Sequence, residues 1–261
     1  MSVIKRDLTV VMPALNEEQN ILPAVKATLK AFKDLNINGE ITVVNDGSTD
    51  KTEELISGMM QEESRIRMIK HTAPEGIGAS FWDGVKEACG DAVVLIPGDN
   101  EVDSEEALRY FPLMQHVDII IPFVYNRNVR SRFRNYLSCI FIFIINVTFR
   151  VNLNYTNGTV IYRKSVLSRL SHYSNGFFFQ AESLIKLIKQ GYLFAEVPYY
   201  LQRRKYGAST AVNYPSFYSV VKGYFNLIKA IYLSADYAND KSKLNEESIS
   251  SKRYKAYEDK R

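Results

Sequence analysis

Short apolar runs alternate with longer amphipathic stretches through the first half of the chain. The runs are rich in β-branched residues, and they predict strands at residues 8–12, 41–44, 66–69, 92–96 and 119–123. The stretches between them predict helices, and this alternation is typical of an α/β fold with a mostly parallel sheet. Because ligands bind outside the carboxyl ends of the strands in such sheets, the loops after the strands are the expected functional sites.

Polar residues directly follow three of these apolar runs. Asp46 comes after the second run, where its carboxylate would suit a ribose hydroxyl or a base N–H group. The loop after the first run consists of Pro13, Ala14, Leu15, Asn16 and Glu17. Side chains that favour helix caps follow Asp46, so the next helix is expected to be capped by Ser48, Thr49 and Asp50.

In the loop after the fourth run, Asp99, Glu101 and Asp103 occupy alternate positions, with Asn100 between the first two. Three carboxylates this close repel one another unless a cation neutralises them. Oxygen ligands of this type suit Mg²⁺ or Mn²⁺, which bridge to phosphate oxygens. The loop therefore predicts a magnesium or manganese site, with a solvated acidic turn as the alternative. Ser104 is expected to cap the helix that follows.

Two glycines, Gly76 and Gly78, follow the third run and precede a predicted helix. A residue without a side chain lets the backbone approach a phosphate or a sugar closely. A single Gly-x-Gly is a weak signal, and it gains weight here from its place among the other loops.

Composition narrows the class of protein. The 261 residues are 46% hydrophobic and 24% charged, enough to bury one substantial core, and the net charge of +4 does not argue for a nucleic-acid partner. Cys89 and Cys139 give no disulfide framework. The three histidines lack metal-ligand spacing, so zinc is not expected. The absence of a long apolar run at the N-terminus argues against a secretory signal and for a cytoplasmic protein.

Four arginines at positions 127, 130, 132 and 134 precede an almost unbroken apolar run at 137–149. A bilayer span needs about 20 apolar residues, so this run is too short to cross. It is a buried core helix, a dimer interface that would make a homo-oligomer, or a helix lying in the membrane surface. The arginines favour the membrane surface, because they would meet lipid phosphates. A second apolar stripe, at 216–233, predicts a helix that either packs on its own domain or lies on the membrane.

Three motifs together resemble those of family-2 inverting glycosyltransferases of GT-A fold: residues 14–18 (ALNEE), residues 45–50 (NDGSTD) and residues 76–78 (GIG). The chain is most similar to the dolichol-phosphate mannose synthase branch and its bacterial polyprenyl-phosphate relatives. That resemblance implies a UDP- or GDP-linked sugar donor, a polyprenyl phosphate acceptor and a peripheral position on the cytoplasmic face of a membrane. The resemblance also implies that the apolar run forms helices at the membrane interface, because that branch has interface helices at this place.

The resemblance extends to residues 179–182 and 204–209 and suggests functions there. Glu182 falls where many family-2 enzymes carry a catalytic carboxylate, and Arg204 would meet the leaving diphosphate. Acceptor-side contacts are expected from Gln180, Arg203, Lys205 and Ser209, and from Arg127, Arg130 and Arg134 for a lipid phosphate. The nucleotide is expected to contact residues 13–17, Asp46, Gly76, Gly78, Asp99 and Asn100.

Two mechanisms fit these residues. A polyprenyl phosphate is already anionic and needs no general base, whereas a sugar hydroxyl must lose a proton, for which Glu182 is the candidate base. A third possibility is an inactive nucleotide-sugar-binding module, because Asn45, Glu101 and Thr210 depart from the family pattern. The expected organisation is a nucleotide-sugar half at 1–125, an acceptor half with interface helices at 126–233 and a polar tail at 234–261.

Overall fold

The computed structural model describes residues 6–126, 129, 132–170, 174–201, 214–233 and 244–259. The chain divides into two compact units, Met1–Phe111 and Pro112–Arg261. The boundary therefore precedes the fifth strand, whereas the sequence places it after that strand, near residue 125. The functions expected for the segments remain predictions.

The first unit alternates strands with helices, as the apolar pattern predicts. Its elements are β1 (Arg6–Ala14), α1 (Ile21–Asp34), β2 (Gly39–Asn45), α2 (Thr52–Glu62), β3 (Ile66–Lys70), α3 (Ile77–Glu87), β4 (Gly90–Leu95) and α4 (Ser104–Leu108). The strands lie in the order β3-β2-β1-β4, and each described pairing between them is parallel.

The centre of this sheet is buried on both faces. Val10 pairs in register with Ile41 on one side and Val94 on the other, and all three are fully buried. Such strands read as continuous apolar runs because helices cover both faces. Gly84 lets α3 approach β1, since a Cβ built there would lie 2.4 Å from a methyl carbon of Val11. This close approach packs the body of α3 directly against β1.

The second unit combines three strands with longer helices. Its elements are β5 (Ile119–Val124), α5 (Arg132–Phe149), β6 (Ile161–Arg163), α6 (Lys164–Leu167), α7 (Phe179–Gln190), β7 (Phe194–Tyr199), α8 (Tyr214–Ile228) and α9 (Ile249–Glu258). A 3₁₀ helix at Phe111–Gln115 precedes β5, and a π-helical segment at Lys229–Leu233 follows α8. Strand β5 pairs with β7 in parallel and with β6 antiparallel. The expected α/β fold with mostly parallel strands is confirmed.

The inner sides of α5, α7 and α8 share one apolar core. This core consists of Ile145, Phe149, Phe178, Ala181, Ile185 and Leu227. A second contact between α5 and α8 is polar, because the hydroxyl groups of Thr148 and Tyr224 lie 2.7 Å apart. Among the residues described, no helix combines the length and the hydropathy needed to cross a bilayer.

The C-terminal helix α9 is held by a buried carboxylate. Asp118 is fully buried, and its Oδ1 accepts hydrogen bonds from Ile249 N–H at 2.8 Å and from Arg163 Nε at 3.0 Å. Its Oδ2 accepts from the N–H and the hydroxyl of Ser250. The described part of the segment expected to be a polar tail is therefore joined to the start of β5.

Candidate functional site

The loops that follow β1, β2, β3 and β4 each contain a residue with left-handed backbone. These residues are Asn16 (φ 57°), Gly47 (φ 78°), Gly76 (φ 98°) and Asn100 (φ 56°). Glycine adopts this conformation without steric cost, and asparagine tolerates it better than most residues. Such positions cluster where a backbone is shaped for a ligand. The motifs predicted from sequence therefore occupy sharply turned loops at the carboxyl edge of one parallel sheet.

Hydrogen bonds join the first two loops to each other. Asn16 N–H donates to Ser48 Oγ at 3.0 Å, and Asn16 Oδ1 accepts from Thr49 N–H at 2.9 Å. The predicted caps of α2 are thus wrong for Ser48 and Thr49, which bind the neighbouring loop. Asp50 behaves as expected, since its Oδ1 accepts from Thr52 N–H in the first turn of α2. The sequence does not distinguish these two roles, because a short polar side chain can bond equally well to the start of its own helix or to a neighbouring loop.

Asp46 is buried, and the structure uses its carboxylate inside the protein. Oδ1 accepts from Glu75 N–H at 2.8 Å and lies 2.7 Å from His71 Nδ1, and Oδ2 accepts from Gly76 N–H at 3.0 Å. These contacts fix the loop that precedes α3. Asp46 therefore positions the Gly76 loop, and its expected contact with a nucleoside stays a prediction. The sequence does not reveal His71 as the partner of Asp46, because the two residues lie 25 positions apart.

The loop after β4 forms a tight acidic turn. Asp99 Oδ1 accepts a hydrogen bond from Glu101 N–H at 3.0 Å, with left-handed Asn100 between them. Burial raises the pKa of Glu17; the hydrogen bond from Asn20 opposes this, while the charges of Asp99 and nearby acids raise the pKa further. Burial is the largest cause of this rise, and the carboxylates of Asp99, Asp50 and Glu101 add to it. This surplus of negative charge fits a divalent cation.

Asp103 has a different environment from Asp99. Its Oδ1 accepts hydrogen bonds from Glu105 N–H at 3.0 Å and from Glu106 N–H at 3.1 Å, so Asp103 is the N-cap of α4. The expectation that Ser104 caps this helix is wrong, because its hydroxyl lies 3.0 Å from that of Thr28. The cap engages one carboxylate oxygen of Asp103, and its assignment as a metal ligand stays a prediction.

In the second unit, the carboxylate of Glu182 is part of a largely buried ion pair on α7. Its Oε1 lies 2.5 Å from Lys186 Nζ, and its Oε2 accepts from Ser174 N–H at 2.8 Å. The Glu182 side chain is 12% exposed and the Lys186 side chain is 6% exposed. The side chain of Gln180, which also lies in the first turn of α7, donates to the carbonyl oxygen of Gly158 at 2.7 Å. The spacing of Glu182 and Lys186 at i and i+4 was visible in the sequence and could have revealed this pair.

Several predicted residues cannot be placed. Outside the described part of the chain lie Arg127, Arg130, Arg203, Arg204, Lys205 and Ser209. The backbone of Arg134 belongs to α5, but its side chain is also outside the description. Their expected contacts with the diphosphate and with the acceptor therefore remain predictions.

One face of α5 is both apolar and exposed. Its exposed large side chains are Phe133 (70%), Tyr136 (65%), Leu137 (43%), Ile140 (39%), Phe143 (68%), Ile144 (43%) and Val147 (62%). No charged residue occurs from Asn135 to Phe149. The buried-core interpretation of the apolar run holds only for the opposite face, which contains Ile145 and Phe149. A contiguous exposed apolar face of this kind marks an interaction surface.

A cleft of about 310 Å³ lies beside this helix. Its walls combine apolar side chains of α5 with amide side chains of the segment that follows the helix, including Ile142, Phe143, Asn152 and Asn154. Phe143 belongs both to this cleft and to the exposed face of α5. The cleft therefore opens next to the apolar surface.

Comparison with known proteins identifies the family. The family model described as Glycosyl transferase family 2 matches residues 9–171, more than half of the chain. The chain belongs to glycosyl transferase family 2, which confirms the resemblance seen in its motifs.

Curated relatives match a shorter segment. The chain is 32% identical over 109 residues to a dolichyl-phosphate beta-glucosyltransferase of Trichomonas vaginalis, which covers 39% of this chain and 34% of that protein. It is 29% identical over 105 residues to the undecaprenyl-phosphate 4-deoxy-4-formamido-L-arabinose transferase of Pectobacterium carotovorum, covering 40% and 32%. The chain thus spans about a third of the length of these relatives. Both belong by name to the polyprenyl-phosphate branch expected from the motifs.

Solved structures extend the likeness across most of the fold. The glucosyl-3-phosphoglycerate synthase of Mycobacterium tuberculosis, in complex with Mn²⁺, UDP-glucose and phosphoglyceric acid, gives a TM-score of 0.63 at 18% identity and covers 85% of this chain and 80% of its own. The same enzyme with Mg²⁺ and UDP gives 0.64 at 19% identity, covering 85% and 79%. At this identity the likeness shows the fold alone, and it confirms the expected fold class.

Proposed function

We propose that this protein is a metal-dependent, inverting glycosyltransferase that moves a sugar from a nucleotide-diphosphate sugar to a polyprenyl phosphate. It would work as a peripheral protein on the cytoplasmic face of a membrane. Membership of glycosyl transferase family 2 supports glycosyl transfer, and the names of the curated relatives support the acceptor class. The observation that carries the choice of a lipid acceptor is the exposed apolar face of α5.

The donor would bind at the carboxyl edge of the strands in the first unit. Asp99 and Glu101 form the turn that faces the charge of Glu17, and these oxygens suit Mg²⁺ or Mn²⁺. A bound cation of this kind would supply positive charge that stabilises the diphosphate leaving group. The Asp46-anchored loop at Gly76 would bring backbone close to the donor, because Gly76 has no side chain. UDP and GDP both remain candidates for the nucleotide.

The reaction is a single in-line displacement. An oxygen of the acceptor phosphate forms a bond to the anomeric carbon of the sugar, while the bond from that carbon to the diphosphate oxygen breaks. The electron pair of the broken bond leaves with the nucleoside diphosphate, and the configuration at the anomeric carbon inverts. Arg204 and Lys205 are proposed to contact the diphosphate, and Arg127, Arg130 and Arg134 the acceptor phosphate.

The environment of Glu182 supports an acceptor that needs no base. Its carboxylate already accepts from the Lys186 ammonium and from a backbone N–H. A general base must reach the proton that it removes, and both oxygens of Glu182 are engaged within their own unit. A phosphate oxygen is anionic at neutral pH and requires no such group. We therefore assign Glu182 to positioning α7 in the leading mechanism.

The proposal is tested by following labelled sugar into the organic phase. The full chain is incubated with labelled UDP- or GDP-sugars, Mn²⁺ or Mg²⁺ and a polyprenyl phosphate. Lipid-linked label should form and should fall at least about 100-fold in Asp99→Asn, the size expected when charge stabilisation of a leaving group is lost. Asp91→Asn is the matched control, because Asp91 is an exposed acid near the start of β4. The absence of organic-phase label with every donor would overturn the proposal.

Glu182→Gln separates the two mechanisms. Activity per folded molecule should stay within about tenfold of the wild type for a phosphate acceptor, whereas loss of a general base costs roughly 10²–10⁴-fold. Because the change leaves a buried ammonium beside a neutral amide, folding is measured by circular dichroism, and Glu182→Gln with Lys186→Met restores charge balance. A large loss in both variants, with sugar acceptors consumed, would favour a soluble transferase that uses Glu182 as base.

A further inference from the structure

His71 is buried between two carboxylates in the first unit. It directly follows β3, and its side chain is 7% exposed. Nδ1 lies 2.7 Å from Asp46 Oδ1. An ionised carboxylate only accepts hydrogen bonds, so the proton of this contact belongs to Nδ1. Asp46 therefore sets the orientation of the ring and directs Nε2 away from itself.

The other ring nitrogen, Nε2, is buried and makes no hydrogen bond to any residue that the structure describes. Asp83 Oδ2 lies 3.3 Å from it, outside the geometry of a hydrogen bond. With the proton on Nδ1, Nε2 presents a lone pair to an anionic oxygen, and two acceptors at this distance repel each other. A cation between them removes the repulsion, and that cation is either a second proton on His71 or a metal ion.

Glu75 completes a set of three ligands. One atom each of His71, Glu75 and Asp83 lies within 4.8 Å of the other two, and Glu75 is exposed, so the group opens to solvent on that side. Two ligands at about 2.0–2.1 Å from a tetrahedral zinc ion lie roughly 3.3 Å apart, which matches the separation of Nε2 from Asp83. A carboxylate that accepts from the other nitrogen of a metal-binding histidine is a common supporting arrangement, and Asp46 provides it.

The local charge also favours a cation. Three carboxylates face the ring, those of Asp46, Glu75 and Asp83. The nearby ammonium of Lys86 pairs with Asp83 Oδ1 at 2.6 Å, on the oxygen that does not face His71. Among the charged groups that the structure describes here, one ammonium against three carboxylates leaves net negative charge around Nε2.

We propose that His71, Glu75 and Asp83 bind a zinc ion at a site separate from the acidic turn of Asp99 and Glu101. The ion would join the end of β3, the loop before α3 and the body of α3, and would thereby hold the Gly76 loop. No zinc signature is visible in the sequence, because the three ligands come from different local structures. This inference goes beyond the proposed function and does not depend on it.

The test is zinc binding by the full chain after metals have been removed with a chelator. Isothermal titration with Zn²⁺ is performed in the Asp99→Asn, Glu101→Gln background, so that the acidic turn does not contribute. One zinc ion per chain is expected, with affinity reduced at least about tenfold by Glu75→Gln or by Asp83→Asn. Glu87→Gln is the matched control on α3, because Glu87 lies in the same helix and outside the cluster. X-ray absorption at the zinc edge should show one imidazole nitrogen among oxygen ligands.

Two results would overturn the proposal. One is the absence of zinc binding in the double variant, and the other is equal affinity in Glu75→Gln, Asp83→Asn and the Glu87→Gln control. Either result would show that His71, Glu75 and Asp83 do not form a zinc site. Since none of these measurements uses sugar transfer, their failure is distinct from failure of the proposed function.

Discussion

Asp46 and Glu17 lie at the same edge of the sheet, but their carboxylates have opposite surroundings. Asp46 is surrounded by donors and serves to hold a loop. Glu17 is partly buried near other acids, and its pKa is raised. A carboxylate that folding leaves among like charges gains most from a cation. The effect of a substitution at Glu17 on the stability of the protein should therefore depend on whether a cation is bound.

We predict that Glu17→Gln stabilises the metal-free protein at neutral pH. The pKa of Glu17 is raised above its usual 4.5, so folding disfavours the charged form. This cost is absent below about pH 4.5, where the group is protonated in both states, and it grows as pH rises through the folded pKa. The variant should melt about 1–3 °C above the wild type at pH 8.

Thermal denaturation from pH 4 to 8 in the presence of a chelator measures this difference. The two melting curves should converge at pH 4, and added Mn²⁺ should stabilise the wild type more than the variant. Glu54→Gln is the control, because Glu54 is an exposed acid in α2. A difference that is constant with pH would show that charge at Glu17 is not its cause.

At the scale of elements, the link between Asp118 and α9 gives a direct prediction. Asp118→Asn keeps the shape of the side chain but turns an NH₂ group toward donors. Among the described residues these donors are the N–H of Ile249, the N–H and hydroxyl of Ser250 and the Arg163 guanidinium. We expect a loss of about 2–4 kcal/mol in the free energy of unfolding. Hydrogen exchange of the α9 amides should accelerate more than that of α7, whereas Glu247→Gln, an exposed change in the same segment, should have no effect. Unchanged α9 exchange would contradict this anchoring.

The exposed face of α5 gives a second prediction at this scale. Phe143 is 68% exposed, and transfer of a phenylalanine side chain into an apolar phase contributes about 1.5–3 kcal/mol. Phe143→Glu should therefore weaken binding to vesicles that contain anionic lipid at least about tenfold, as measured by flotation. Met60→Glu, which changes an exposed apolar residue of α2 in the other unit, should bind like the wild type. A wild-type chain that stays wholly in the aqueous fraction would count against membrane contact.

For the whole molecule, ligand binding should appear as stability. A ligand that binds only the folded state adds about 2.7 kcal/mol at 100 times its dissociation constant. We expect UDP or GDP together with Mn²⁺ to raise the melting temperature more than the sum of the two added separately. Asp99→Asn should remove the dependence on Mn²⁺, and hydrogen exchange should slow in the first unit. Equal stabilisation of wild type and Asp99→Asn would place the cation elsewhere.

The sequence by itself determined the class of fold and the positions of the polar loops that we propose bind the donor. Continuous β-branched runs such as those around Val10 and Val94 have few alternatives to buried parallel strands, and the polar loops then fall at one edge by topology. The motifs also determined the family. These features depend on local pattern and on order along the chain, which the sequence states directly.

Only the tertiary structure decided which partner each polar side chain takes. It joined Asp46 to His71, Glu182 to Lys186 and Asp118 to α9, and it left one face of α5 uncovered. A carboxylate can equally cap a helix, bind a loop, pair with a cation or contact a ligand, and these choices differ by only a few kcal/mol. The choice depends on distance and burial between residues far apart in the chain, which local pattern does not encode.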